Sequence, residues 1–538
     1  MERPKPAWMA QRRMREDEQL TRIRAALARP QSYPHRPARV ELRETHISWV
    51  FLAGERAYKL KKPLVLDFLD YGTRARRRLM CEREVELNRV LAPDIYLGVR
   101  GVAPAGEGIV LTSPDDPRAI EHVVEMQRFD ERDTLAARLR RGALRDGQLT
   151  AVARALARFH AGAARAPAPR APELDAELRF EREVHELAEL AGEREELTRL
   201  LALARFADAF IAARGETIAA RAASGSVRDG HGDLRAEHVL LDGRIRIVDR
   251  IEFDSALRAL DVGDDLAFLH FDLAAAGAWH LAELLLRRYR EAGGDPGEDW
   301  LIAFYAARHA LIRAKVALVR ATQQRKDHAA AERARRLITL AERFAWRARL
   351  PLAIILAGLP ASGKSHLARE LAHRSGLAQV SSDLVRKRLA GVPATGRAPA
   401  EVYARGWSER TYAELAREAA HQLAERGGVI IDATFRRRAD RAAFARTFAG
   451  AAPILLIECV APGAVLAERA AARERDARRI SDADLTVVLR EQSSWEPLDE
   501  FPARSHIALR TDRPLAEIIA DIESLLDARL PALIRSAG

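Results

Sequence analysis

The chain is poor in the features that mark extracellular, zinc-binding or membrane-spanning proteins. Only two of its 538 residues, Cys81 and Cys459, are cysteine, so neither a disulfide framework nor a zinc site is expected. The most apolar stretch, residues 268–286, contains Asp272 and Glu283 and is too polar to span a membrane. The first residues lack the apolar core of a signal peptide. These absences predict a cytoplasmic protein that does not contact a membrane.

Aromatic residues are also scarce, at 6% of the chain, and no internal repeat suggests a solenoid. The chain holds 88 Lys and Arg residues against 77 Asp and Glu residues, a formal charge of +11. Such basicity permits nucleic-acid binding, but no stripe combines basic with aromatic residues. We attribute the charge mainly to a general use of arginine, and secondarily to an anionic substrate. A nucleic-acid partner is therefore permitted but not favoured.

The strongest pattern is a glycine-framed loop between an apolar run and a helical segment. Residues 351–357 read P-L-A-I-I-L-A, which is typical of a buried parallel strand. The loop is a complete G-x-x-x-x-G-K-S pattern formed by Gly358, Leu359, Pro360, Ala361, Ser362, Gly363, Lys364 and Ser365. Its backbone N–H groups and the following helix N-terminus suit phosphates. Lys364 would neutralise the β- and γ-phosphates and Ser365 would hold Mg²⁺, so the pattern predicts ATP and Mg²⁺ as cofactors.

Two further strand ends carry carboxylates. Asp383 follows a second short strand, and Arg386 lies three residues later, on the same side of a helix-opening turn. Asp383 could accept a proton from a hydroxyl, and Arg386 could hold an acidic group. The alternative is a helix-capping aspartate with a solvated arginine. Asp432 ends the strand 429–432, where a carboxylate for Mg²⁺ belongs.

Five arginines follow within eleven residues: Arg469, Arg473, Arg475, Arg478 and Arg479. Arg469 and Arg473 share one helical face and could close over a triphosphate, although an ordinary basic helix is the alternative. Together with the loop, these motifs resemble P-loop kinases of the polynucleotide kinase, gluconate kinase and zeta-toxin type. The resemblance spans about residues 350–530 and implies a parallel α/β/α fold. It also implies Asp383 as the base and Arg469 or Arg473 as a lid arginine, without identifying the acceptor.

A second pattern lies upstream, at His231-Gly232-Asp233, with His238 five residues after the aspartate. A hairpin is predicted around Asp242-Gly243, and Asp249 stands at its end. This order resembles the catalytic loop of aminoglycoside and choline phosphotransferases, which share the protein-kinase architecture. The resemblance implies that Asp233 accepts the hydroxyl proton. It places His238 and Asp249 at the two metal-binding positions.

Residues upstream of that loop agree with the smaller lobe of such a fold. Two strands flank a glycine turn, and Lys59 falls on the strand whose lysine contacts ATP phosphates. Lys61 lies on the same face and is a rival. The next helix offers Glu84 as the ion-pair partner, with Glu82 as the alternative. The segment 123–129 is expected to be the hinge strand against the adenine.

Two departures from the phosphotransferase pattern affect activity. No glycine-rich loop lies between the first strands, and His238 stands where the family has asparagine. Mg²⁺ prefers oxygen ligands to an imidazole nitrogen. Three interpretations therefore stay open: a single metal, another divalent ion, or a nucleotide-binding pseudoenzyme.

As a whole, the chain resembles bacterial fusions of an aminoglycoside-phosphotransferase-like domain with a P-loop kinase. The match includes the segments T-H-I-S-W-V-F, K-L-K-K-P and F-L-D-Y. We expect a helical segment at 1–33, a bilobal protein-kinase-like domain at 34–345 and a P-loop kinase at 346–538. The smaller lobe would end near residue 130, and a charged helix at 323–349 would connect the ATP domains. The resemblance predicts an ATP-dependent kinase with an unidentified acceptor; the rivals are an ATP-sensing regulator and, least favoured, an AAA-type motor.

Overall fold

The computed structural model describes residues 18–66, 69–106, 108–191, 194–323, 328–447, 452–475 and 485–535. The backbone packs into two compact units. The first comprises Met1–Ala168 and Arg221–Pro296, and the second comprises Pro169–Ala220 and Gly297–Gly538. The second unit thus contains helical segments that the sequence-based division placed in the kinase-like domain. The predicted boundaries at 33/34 and 345/346 stay predictions.

The first unit is built on a six-stranded antiparallel sheet in the order β1-β2-β3-β8-β6-β7. Its strands are β1 (Val40–Glu44), β2 (Ser48–Ala53), β3 (Arg56–Lys61), β6 (Tyr96–Ala105), β7 (Gly108–Thr112) and β8 (Glu121–Gln127), with the small hairpin β4 (Val65–Leu66) and β5 (Leu69–Asp70). Gly54 turns β2 into β3 at a φ of +65°, a conformation that glycine adopts without strain. Alternate residues such as Tyr58 and Leu60 face one core. Lys59 and Lys61 consequently share the opposite face.

Helices and two small two-stranded sheets complete the first unit. They are α1 (18–27), α2 (Arg74–Arg89), α3 (Leu135–Arg140), α4 (Asp146–Gly162), α7 (Val262–Ala275) and α8 (Trp279–Glu291), with β9 (Val227–Asp229) paired to β12 (Ala259–Asp261) and β10 (Val239–Leu241) paired to β11 (Ile245–Ile247). Thr73 caps α2, because its hydroxyl accepts a hydrogen bond from the Arg76 N–H at 3.3 Å. Helix α2 packs on β8 and β6 and buries Glu84 completely.

The second unit contains a five-stranded parallel sheet in the order β14-β15-β13-β16-β17. Its strands are β13 (Leu352–Ala357), β14 (Ala378–Ser381), β15 (Gly428–Asp432), β16 (Ile454–Val460) and β17 (His506–Arg510). All six residues of β13 are buried, because both faces of the sheet are covered. Its even-numbered side chains join one hydrophobic cluster and its odd-numbered side chains another. The predicted mixed α/β class with a C-terminal parallel sheet is confirmed.

The helices of the second unit surround this sheet and extend into a helical layer. They are α5 (Pro172–Leu190), α6 (Arg194–Ser224, whose last turn belongs to the first unit), α9 (Asp299–Gln323), α10 (His328–Ala348), α11 (Lys364–Ser375), α12 (Ser382–Leu389), α13 (Arg405–Arg426), α14 (Arg438–Arg446), α15 (Gly463–Glu474), α16 (Leu485–Ser493) and α17 (Leu515–Arg535). Two buried contacts anchor the end of α10 to α17. Arg349 donates to both carboxylate oxygens of Asp527 at 2.7 and 2.8 Å, and Trp346 donates to Glu523 at 3.0 Å. Within the described ranges, no helix combines the length and apolarity that crossing a membrane requires.

Candidate active sites

Strand β3, helix α2 and the segment after β11 bring three charged side chains together in the first unit. Lys59 Nζ donates to Glu84 Oε1 at 2.9 Å and to Asp249 Oδ1 at 2.7 Å. Burial alone would lower the pKa of Lys59, but the charges of Asp249 and Glu84 outweigh it and raise that pKa well above its usual value. Lys59 therefore carries a positive charge and is held in position by two carboxylates. The structure brings together the three residues that the sequence selected here.

Lys61, the rival of Lys59, is fully buried in a deeper part of the same network. Its Nζ donates to Glu84 Oε2 at 2.7 Å and also pairs with Glu252, to which the Tyr71 hydroxyl donates. Glu82 instead pairs with an arginine on the exposed side of α2. Glu84 thus holds both lysines, and Glu252 is a partner that the sequence patterns did not select.

The loop that carries Asp233 also carries His238, and the His238 ring lies close to Asp249. His238 Nδ1 lies 2.9 Å from the backbone oxygen of Asp233 and 3.7 Å from its Oδ2. His238 Nε2 lies 3.8 Å from Asp249 Oδ2. Asp249 has a φ of +65°, and its N–H donates to the Tyr96 hydroxyl at 3.1 Å. This strained backbone aims the carboxylate at both Lys59 and His238.

Asp265, on helix α7, holds the catalytic-loop backbone and was not selected from the sequence. Its carboxylate accepts from the N–H groups of His231 at 2.6 Å and Gly232 at 3.1 Å. His160 contacts it at 3.1 Å and is itself 2.8 Å from the Tyr289 hydroxyl. Burial would raise the pKa of Asp265, but the contact with His160 lowers it, so the carboxylate stays charged. No sequence signal marks Asp265, because its partners lie 34 and 105 residues away.

In the second unit, the predicted phosphate loop joins β13 to α11. All its residues are described: Gly358, Leu359, Pro360, Ala361, Ser362, Gly363, Lys364 and Ser365 lie between the strand and the first helical turn. Gly358 has a φ of +148°, and a Cβ there would lie 2.6 Å from the backbone oxygen of Cys459. Gly363 precedes the helix at a φ of +91°. Both positions therefore require glycine. Lys364 reaches back over the loop, with its Nζ 3.4 Å from the Leu359 oxygen.

Strand register places two carboxylates at the edge of the sheet where this loop begins. Asp432 pairs with Leu356 on one side and with Ser381 on the other. Because all three strands are parallel, their carboxyl ends meet at this edge. Asp383 follows in the first turn of α12, and Asp432 is buried. The structure thus brings Asp383, Asp432 and the loop to one side of the sheet.

Arg386 lies one turn after Asp383 and is nine-tenths buried. Its guanidinium stacks over the ring of Tyr403 at 4.7 Å, and its buried Nε has no hydrogen-bond partner. A solvated surface arginine, the alternative weighed above, does not have these surroundings. A buried cation with an unused donor is suited to an anionic group.

Arg469 lies beside the phosphate loop, but it contacts the protein backbone. It donates to Thr511 Oγ1 at 3.2 Å and to Thr511 O at 2.7 Å. The same hydroxyl donates to Ser362 O at 2.5 Å. Arg469 and Thr511 therefore form a chain of hydrogen bonds that ends at the loop backbone, at Ser362. The side chain of Arg473 lies outside the described residues, so the choice between these two arginines as lid residue stays open.

Glu491, on helix α16, is a third acidic residue of this centre that the sequence did not indicate. Val488, one turn earlier, packs with Ala361 of the loop. Glu491 Oε2 is buried without a hydrogen-bond partner. Burial raises the pKa of Glu491, the charge of Lys364 opposes that rise, and the charge of Asp383 adds to it. The charges of Lys364 and Asp383 thus both act on the Glu491 carboxyl group.

The residues fit a nucleotide-bound metal better than a metal held by protein alone. Among the described residues, no group of three or more His, Cys, Asp or Glu side chains could hold a metal ion. Mg²⁺ in kinases usually takes one or two protein ligands and completes its shell with phosphates and water. Ser365 and Asp432 offer oxygen in the second unit, and Asp249 offers it in the first.

Comparison with known proteins agrees with this organisation. The family model described as "AAA domain" matches residues 354–498. Uncharacterized protein Rv2004c of Mycobacterium tuberculosis is 35% identical over 470 residues, which cover 85% of this chain and 91% of the relative. Uncharacterized protein Mb2027c of Mycobacterium bovis matches with the same identity and coverage. The chain belongs to the family of these mycobacterial proteins.

Solved structures match part of the chain. A gluconokinase from Sinorhizobium meliloti is 21% identical, covers 35% of this chain and 95% of its own, and has a TM-score of 0.26. A choline/ethanolamine kinase family protein from Mesorhizobium loti is 16% identical, covers 59% and 94%, and has a TM-score of 0.37. With TM-scores this low, the fold assignment depends on the strand order and contacts described above.

Proposed function

We propose that the protein is an ATP-dependent phosphotransferase with two ATP-type sites, a fusion of an aminoglycoside-phosphotransferase-like domain with a P-loop kinase. The P-loop kinase transfers the γ-phosphoryl group of ATP–Mg²⁺ to a hydroxyl of a small molecule or a nucleic-acid end. A small molecule is the favoured acceptor, and the cytoplasm is the expected compartment. The first unit is a protein-kinase-like phosphotransferase domain, catalytic or regulatory.

One observation carries the proposal for the second unit: a phosphate loop, Asp432 and Asp383 converge at the same edge of a parallel sheet. In a transfer step, Asp383 takes the proton of the acceptor hydroxyl. The acceptor oxygen bonds to the γ-phosphorus while the bond to the β–γ bridging oxygen breaks, and ADP leaves. Lys364 neutralises charge on the phosphates, and Ser365 with Asp432 holds Mg²⁺.

The buried guanidinium of Arg386 narrows the acceptor class. A cation with an unused Nε one turn from the proposed base favours an acceptor that carries a phosphate or carboxylate. Arg388 lies on the same helix, is exposed and pairs with Glu418, so it is a matched control. Arg386→Gln should lower the transfer rate at limiting acceptor, whereas Arg388→Gln should not.

For the first unit, the cluster of Lys59, Glu84 and Asp249 supports nucleotide binding. Asp233 is the proposed base, and Asp249 and His238 face the metal position. Asp233→Asn should stop any transfer by this unit, because the carboxylate that accepts the proton is lost.

Phosphoryl transfer from labelled ATP to pooled metabolites and to nucleic-acid ends tests the proposal. The full-length protein should label an acceptor, and Lys364→Ala should abolish the labelling that depends on the second unit. The double variant Lys364→Ala with Asp233→Asn should label nothing. Undiminished labelling in Lys364→Ala would show that the P-loop is not the active site.

An ATP-sensing regulator with a pseudokinase first unit is the second candidate, and the replacement of the usual asparagine by His238 favours it. A regulator would bind ATP in both units without transferring the γ-phosphoryl group to an acceptor. If the Lys364→Ala protein binds ATP but shows no transfer with Mg²⁺ or Mn²⁺, the first unit is regulatory.

A further inference from the structure

The ring of His238 is held in one tautomer by the backbone of its own loop. Its Nδ1 lies 2.9 Å from the carbonyl oxygen of Asp233. A carbonyl oxygen only accepts hydrogen bonds, so Nδ1 is the donor and Nε2 is the ring nitrogen left to bind a metal. This is the tautomer in which a histidine presents Nε2 as a metal ligand.

Two carboxylate oxygens lie near His238 Nε2, at distances too long for hydrogen bonds. Asp249 Oδ2 is 3.8 Å away and Glu237 Oε1 is 3.9 Å away. Two carboxylate oxygens beside Nε2 favour positive charge at this position, carried either by a proton on Nε2 or by a metal ion between the groups. Two bonds of about 2.1 Å to one cation, at an open angle, span the gap between Nε2 and Asp249 Oδ2.

The two carboxylate oxygens of Asp249 face different partners. Oδ1 accepts from Lys59 Nζ at 2.7 Å, and Oδ2 is left on the side of His238. The site therefore offers one nitrogen and one oxygen ligand.

We propose that His238 Nε2 and Asp249 Oδ2 bind one divalent transition-metal ion, Mn²⁺ in preference to Mg²⁺. Imidazole suits first-row transition metals, whereas Mg²⁺ selects oxygen ligands. Two protein ligands are too few for a metal centre, so phosphate oxygens and water complete the shell and the ion enters with the nucleotide. This metal preference rests on the proposed nucleotide binding by the first unit.

Pulsed electron paramagnetic resonance of bound Mn²⁺ tests the nitrogen ligand directly. The full-length Lys364→Ala protein, with ¹⁵N-labelled histidine, is loaded with Mn²⁺ and a non-hydrolysable ATP analogue, because that substitution suppresses the P-loop site. We expect a ¹⁵N coupling from a directly bound imidazole. His238→Asn should remove it, whereas His366→Asn, two residues after the P-loop lysine, should retain it.

Metal titrations with the same analogue give a second readout. His238→Asn should weaken Mn²⁺-dependent nucleotide binding by at least about tenfold and leave Mg²⁺-dependent binding unchanged or stronger. A Mn²⁺–nucleotide complex without ¹⁵N coupling, or a coupling that persists in His238→Asn, would overturn the proposal. If His238→Asn does not fold, the labelled Lys364→Ala protein still tests the proposal, because the absence of a ¹⁵N coupling would overturn it. A Lys364→Ala protein that binds no nucleotide would instead contradict the proposed function of the first unit.

Discussion

Asp383 and Arg386 lie one helical turn apart, yet their surroundings differ. Asp383 is half-buried at the start of α12, while Arg386 is buried beneath Tyr403. The sequence predicted that both residues face the same side, because the spacing of helical residues is local information. It could not reveal that the arginine is buried, since Tyr403 lies on a separate segment.

Replacing Asp383 by asparagine should separate chemistry from nucleotide binding. Asp383→Asn keeps the shape of the side chain but removes the proton acceptor, so transfer to the acceptor should fall by at least about 100-fold. ATP affinity, measured by calorimetry, should stay within a few-fold. A collapse of ATP binding would mean that Asp383 holds the metal or the loop instead.

Substitution of the two lysines of β3 should have different effects: Lys61 should matter mainly for folding stability, and Lys59 mainly for nucleotide binding. Lys61→Met leaves Glu84 and Glu252 buried without their shared cation, which should cost about 3–5 kcal/mol in the free energy of unfolding. Lys59→Met should cost less, because Glu84 keeps Lys61 and the Asp249 side chain is 47% exposed. Its main effect should be weaker nucleotide binding. Urea unfolding and nucleotide titration of both variants check this, and a larger stability loss in Lys59→Met would contradict it.

At the scale of elements, the phosphate loop is held by segments that are distant in sequence. The local signals for it were strong: an apolar strand, two glycines and a helix start all lie within about twenty residues. The contacts from β17, α15 and α16 were not predictable, because Thr511 and Glu491 lie more than 120 residues from the loop. An acidic residue in a charged helix is usually a surface residue, so Glu491 had no distinguishing pattern.

The hydrogen bonds of the Thr511 hydroxyl can be removed with little change in side-chain volume. Thr511→Val loses the hydrogen bonds to Ser362 and from Arg469, so the dissociation constant for ATP should rise about tenfold, close to 1.4 kcal/mol. The maximal transfer rate should change less than about twofold. If Arg469→Ala lowers that maximal rate about 100-fold while Thr511→Val has no effect, Arg469 acts as the lid arginine.

At the scale of the whole molecule, the sequence predicted two ATP-type centres in one chain. It placed α5 and α9 in the kinase-like domain and the helix at 323–349 as a connector, whereas α5, α9 and α10 all belong to the unit that contains the P-loop sheet. Hydrophobic periodicity shows that a helix has an apolar face but does not identify the partner of that face. Arg349 and Asp527, which are 178 residues apart, show why.

A fragment that starts at residue 346 should therefore be less stable than the intact second unit. It keeps Arg349 and Trp346 but loses α9 and most of α10; α10 packs against both α9 and α11. We expect the thermal midpoint of the P-loop transition to fall by at least about 6 °C, which corresponds to about 2–3 kcal/mol. Calorimetry of the fragment and of the full chain provides the comparison. Equal midpoints would show that the sheet does not depend on these helices.

The burial of both cysteines has a practical consequence for measuring conformational change. Cys81 and Cys459 are enclosed by protein, and burial raises the pKa of each thiol, to about 12 for Cys459. Neither sulfur forms an appreciable amount of thiolate near neutral pH, so maleimide dyes should leave the native chain unlabelled. Cysteines introduced at the exposed positions Val90 and Leu201 would then be the reactive sites for a fluorescent donor and acceptor. Energy transfer between them could follow, in single molecules, whether nucleotide in one unit changes its distance from the other.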